Sequence, residues 1–142
     1  MDNPENKLIK GLIVIFISLA AMAAAYLAYA LFHTVIARIT IPILGHPYPT
    51  VFTRPVFAGI MTILYLIYCK RGNSELAKAA LISIPAGAFM LSFGIAFFKL
   101  PLVVIASKTA VFVIFLLILR RLRKDWTYYL ALSVTYLLSM LY

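Results

Sequence analysis

The stretch Leu100 to Lys124, LPLVVIASKTAVFVIFLLILRRLRK, constrains this chain more than any other. Its first twenty residues, 100–119, are apolar enough to cross a bilayer, and they end in the basic cluster Arg120, Arg121, Arg123 and Lys124. Lys108 interrupts them. It precedes Arg120 by twelve residues, roughly 18 Å of helix at about 1.5 Å per residue. If the arginines mark one interface, the ammonium therefore starts near mid-membrane. A charge at that depth costs at least about 2.5 kcal/mol, which makes it a functional candidate by default.

The rest of the chain agrees with a lipid solvent. Hydrophobic residues make up 65% of the 142 and charged residues 12%, against an apolar share of roughly 45–50% in soluble domains. The expected fold is all-α: a polytopic membrane helix bundle forming a single transmembrane domain over 1–142. It has four to five transmembrane helices and an interfacial or re-entrant segment after the first. The expected spans are about 11–32, 51–69, 76–98, 100–119 and 126–142. The first has a centre of alanines, from Ala20 to Ala28, that lets another helix approach closely. Pro85 and Gly87 predict a kink in the third span, with Ser74 or Asn73 capping its start ahead of Glu75. Span 126–142 is just long enough to cross.

The segment from His33 to Arg54, HTVIARITIPILGHPYPTVFTR, differs in kind. It is apolar but broken by Pro42, Gly45, Pro47 and Pro49, and GHPYP has to turn, because proline neither donates nor follows a helical residue comfortably. Over 34–49 this predicts either a short helix lying at the membrane surface or a re-entrant loop held against protein.

The net charge is +9, and the acids Asp2, Glu5, Glu75 and Asp125 all lie outside the apolar runs. Cation-coupled carriers usually need intramembrane carboxylates, so an acid-driven transport cycle is disfavoured. The basic residues sit on short membrane flanks and form no continuous face for nucleic acid. The set of Lys7, Lys10, Lys70, Arg71, Lys78 and 120–124 is denser than the set of His33, Arg38, His46, Arg54 and Lys99. By the positive-inside rule the chain is a multi-pass protein of the cell membrane with a cytoplasmic N-terminus, and its C-terminus is outside if there are five spans. Cys69 stands alone, so no internal disulfide or CxxC pair exists. No phosphate loop, HExxH or GxSxG occurs, no Cys/His set has metal-ligand spacing, and no cofactor, metal or catalytic residue is expected.

What remains is the cations. With no acid in the apolar runs, the partner of Lys108 has to be a lipid phosphate, an anionic ligand, another subunit's acid, or helix-terminal carbonyls. Arg54 lies near the start of its span and can grip phosphate in bidentate fashion. Arg38, Arg54, Lys99 and Lys108 are the candidate lining of an outward basic pocket roofed by HPYP, with His33, His46, Ser107 and Thr109 as polar contacts. The expected function is transport or lipid handling, with an anionic lipid or polyprenyl phosphate as ligand and membrane lipids as surroundings. The alternative is a non-catalytic structural subunit, in a homo-oligomer or a larger membrane complex, packing through its small-residue faces.

Overall fold

A computed structural model describes residues 4–45, 50–97 and 99–141, and among them the only regular structure is helix. Six helices follow in order: α1 Pro4–Leu44, α2 Thr50–Lys70, α3 Glu75–Leu81, α4 Ser83–Ala96, α5 Pro101–Arg121 and α6 Trp126–Met140. Four stretches are long and apolar enough to cross a membrane: α1, α2 from Phe52, α3 with α4, and α5.

Two expectations change. The separate element after the first span does not form, because α1 continues without a break for 41 residues, roughly 60 Å at about 1.5 Å per residue. No helix breaker stands between Phe32 and Pro42. Thr34 and Thr40 fold their hydroxyls back onto the carbonyls of Ala30 and Ile36 at 2.8 and 2.9 Å. The helix stops where a stop signal exists, at Gly45, whose φ of 72° admits the left-handed cap and whose N–H donates to Ile41 at 2.9 Å. The HPYP turn lies outside the described residues. The expected fifth crossing is also shorter. Helix α6 has 15 residues, roughly 22 Å, and falls short of the roughly 30 Å hydrocarbon core.

The helix is interrupted at Ile82, between α3 and α4, three residues before Pro85. Pro85 lacks the N–H that would bond Leu81, and its ring crowds that carbonyl, so the helix breaks there. Serines gather at the neighbouring carbonyl. The hydroxyls of Ser83 and Ser18 both donate to the Ala80 carbonyl, at 2.7 and 3.3 Å, the second tying α1 to the break. Ser74 caps α3, its hydroxyl accepting from the Ala77 N–H at 3.2 Å.

Helices α4 and α6 form the centre. Helix α4 packs between α2 and α5, and α6 touches α1, α3, α4 and α5. Tyr128, Ala131, Leu132 and Thr135 of α6 are fully enclosed, with Val14, Ala79, Ala86 and Met90 around them. Close approach uses glycine. A Cβ on Gly11 would meet the Trp126 ring at 3.5 Å, and one on Gly87 would meet Met22 at 3.3 Å.

The hairpin connections put the start of α1 at the same end of the bundle as the α2–α3 and α5–α6 turns. Every acid among the described residues, Glu5, Glu75 and Asp125, lies at that end. Glu75 accepts from Lys78 at 2.7 Å, from the Tyr128 hydroxyl at 2.8 Å and from Lys124 at 3.4 Å. The opposite end carries Arg38, Arg54 and Lys99 and, among the described residues, no acid.

Candidate functional site: an apolar groove ending in Arg54

Along α4, Ser83, Gly87, Ala88 and Ser92 put small side chains toward α1 and α2, leaving a trough flanked by Met22, Tyr26, Tyr29 and Phe57 and closed toward one end by Arg54, Leu91 and Ile95. Ser83 to Ile95 spans twelve residues of chain, roughly 18 Å, about the depth of one leaflet's hydrocarbon. The enclosed volume is about 70 Å³, well below the roughly 300–1,000 Å³ of sites that enclose a small molecule. A volume that small does not enclose a compact ligand.

Arg54 is the trough's charged residue. Its Nε donates to the Tyr29 hydroxyl at 3.3 Å, a neutral partner, and no salt bridge joins it to any described acid. Tyr29 is fixed edge-on against Phe57, at 5.3 Å between centroids and 69° between planes, and Phe57 also meets Phe32 at 5.6 Å. His33 stands 6.2 Å from Tyr29, at the rim of this aromatic cluster. A guanidinium can meet a phosphate or carboxylate in bidentate fashion.

Lys108 occupies a different seam, and among the described residues Arg38, Arg54, Lys99 and Lys108 do not line one pocket. Arg54 lies sixteen residues from Lys70 and Lys108 thirteen from Arg121, roughly 24 and 20 Å from the same end, so their depths are similar, but α4 runs between their helices. Lys108 is only 3% exposed, and its Nζ donates to the Ser139 carbonyl. That carbonyl belongs to the last turn of α6, where backbone acceptors have no intrahelical donor and carry the negative end of the helix dipole. Because α6 is too short to reach the far side, this end stops at the depth of Lys108. A helix-terminal carbonyl was among the partners weighed from sequence, and it is the contact the structure shows. The stem crosses α4 at Gly94, where a Cβ would lie 2.8 Å from Lys108 Cε.

The remaining candidates separate. Ser107 donates within its own helix to Val104 at 2.9 Å. Thr109 donates back to Ile105 at 2.8 Å and pairs with the Tyr136 hydroxyl at 2.9 Å, fastening α5 to α6. Arg38 is exposed on the far part of α1, and Lys99 is exposed in the α4–α5 turn. His46 lies outside the described residues. Among the described residues no three His, Cys, Asp or Glu side chains gather as a metal site would need. The trough itself was not foreseen. Its one sequence signal was the small-residue spacing of α4, Ala88, Ser92 and Ala96, which reads equally as a helix-packing face.

The chain matches no family model, no curated protein and no solved structure. What the described residues define is a helical bundle with four helices long and apolar enough to cross a membrane.

Proposed function

We propose that this is an integral membrane protein of lipid handling or transport, which holds an anionic amphiphile with its chain in the α1–α2–α4 groove and its phosphate or carboxylate head on Arg54. One observation carries the reading: a half-buried arginine without a described acidic partner closes an apolar trough one leaflet deep. Lys99 and Arg38 raise the positive potential at that end, which in low dielectric draws an anionic head strongly. The density of Lys and Arg at the other end puts the N-terminus in the cytoplasm and the Arg54 end outside. Lys108 serves the architecture, supplying the cation that lets α6 end within the bundle.

Native mass spectrometry of protein released from nanodiscs of mixed phosphatidylglycerol and phosphatidylcholine tests this. The wild type should retain the anionic lipid preferentially. Arg54→Ala should lose that preference while Lys108→Met keeps it, and an unchanged preference in Arg54→Ala removes the proposal.

A further inference from the structure

The starts of α1, α3 and α6 pack together at one end of the bundle, and between them opens a polar cleft of about 370 Å³. That volume falls within the roughly 300–1,000 Å³ of small-molecule sites. Helix α1 contributes Lys7 and Lys10, three residues apart and so on one face. Helix α3 contributes Glu75, and the start of α6 contributes Asp125, Trp126 and Thr127. The Trp126 indole lies against α1 at Gly11, a position that suits an aromatic side chain at the level of lipid headgroups.

Two groups in the cleft have hydrogen-bonding capacity that the fold does not use. Thr127 is only 7% exposed, yet its hydroxyl has no hydrogen-bond partner among the described residues. Every fully enclosed side-chain oxygen and nitrogen among them does have one, so the Thr127 oxygen is reached from the cleft that it lines. Asp125 stands at the N-cap of α6, but its carboxylate accepts nothing from the helix start and forms no salt bridge among the described residues. The first amides of α6 therefore keep their donors beside the Thr127 hydroxyl, at the positive end of the helix dipole. Glu75 differs from Asp125, since its oxygens already accept from Lys78, Tyr128 and Lys124.

The formal charges of the cleft cancel, two ammonium groups against two carboxylates. A lone anion would face the carboxylates, and a lone cation would face the lysines. A ligand carrying both signs meets both sets. We infer that the cleft binds an aminoalkyl phosphate of the phosphoethanolamine type. The phosphate sits on the Thr127 hydroxyl, the α6 amides and Lys7, and the primary ammonium sits on Asp125. Both ends then make charge-assisted hydrogen bonds. A trimethylammonium has no N–H to give Asp125, so a choline head fits less well. A phospholipid head and the free soluble molecule share this chemistry. The cleft lies at the opposite end of the bundle from Arg54 and needs nothing from the groove.

Two measurements on the full chain test the inference. Native mass spectrometry of protein released from nanodiscs of mixed phosphatidylethanolamine and phosphatidylcholine reads the lipid, and calorimetric titration in detergent with phosphoethanolamine, phosphocholine or inorganic phosphate reads the free head. The wild type and Arg54→Ala should both retain phosphatidylethanolamine preferentially. Binding of free phosphoethanolamine as well assigns the site to the head alone, whereas retention of the lipid without it assigns the site to the bilayer. Asp125→Asn should abolish the preference for ethanolamine over choline. Thr127→Val should weaken binding of the preferred form at least about tenfold and leave the unfolding temperature unchanged, because it breaks no bond of the fold. The inference is overturned if the wild type shows neither the lipid preference nor binding of phosphoethanolamine, if inorganic phosphate binds as tightly as phosphoethanolamine, or if the preference survives both Asp125→Asn and Thr127→Val.

Discussion

Gly94 and Lys108 make one contact whose removal can change the sign of a substitution. An alanine Cβ at position 94 would sit 2.8 Å from Lys108 Cε and 3.4 Å from Nζ, where carbon pairs prefer about 3.5–4.0 Å. The end of the lysine must therefore shift by most of an ångström, which draws the ammonium off the Ser139 carbonyl. A hydrogen bond from a charged donor contributes about 1.5–3 kcal/mol, and a buried carbonyl left alone forfeits about 1–3 kcal/mol. Against this, alanine favours the helix over glycine by about 1 kcal/mol. Gly94→Ala should thus destabilise the wild type by about 1–2 kcal/mol. In a Lys108→Ala background the obstacle is gone, and the same change should stabilise by about 1 kcal/mol. Thermal unfolding in detergent, with shifts of about 2–4 °C per kcal/mol for a chain near this size, reads the four-protein cycle. Equal shifts from Gly94→Ala in both backgrounds refute the placement of Lys108 against α6.

Smaller effects should follow elsewhere. Ser83→Ala removes a 2.7 Å bond to the Ala80 carbonyl at the Pro85 break, and should lower stability by about 1 kcal/mol. Ser74→Ala deletes the α3 cap and should do the same, visible as a lower unfolding temperature without loss of lipid binding. Tyr128→Phe breaks the 2.8 Å contact with Glu75. Because Glu75 is more than half exposed, the loss should stay near 1 kcal/mol and shrink as salt is added.

Helical class and most boundaries were legible because their causes are local. Pro85 breaks a helix through its own missing N–H, Ser74 caps through its own hydroxyl, and Gly45 ends α1 by its own conformational freedom. The segment 34–44 misled because Pro42 reads as a break, whereas it lies in the last turn of α1 and the helix runs on to Leu44. The shortness of α6 was hidden for the opposite reason, since apolar residues such as Leu141 continue past the last helical turn. The cations stand out one by one in the sequence, but whether they converge depends on which side of α4 each helix packs. That is set by Gly87, Gly94 and the enclosed residues of α6, positions that nothing in a uniformly apolar sequence sets apart.

The most direct test is to map where an anionic lipid touches the protein, using a phosphate-headed lipid with a photoreactive group midway along its acyl chain. Labelling should concentrate on peptides of α1 around Met22 and α4 around Gly87, and should fall away in Arg54→Ala. Labels spread over the lipid-facing surfaces of α2 and α5, unaffected by that substitution, would contradict a lipid site in the groove.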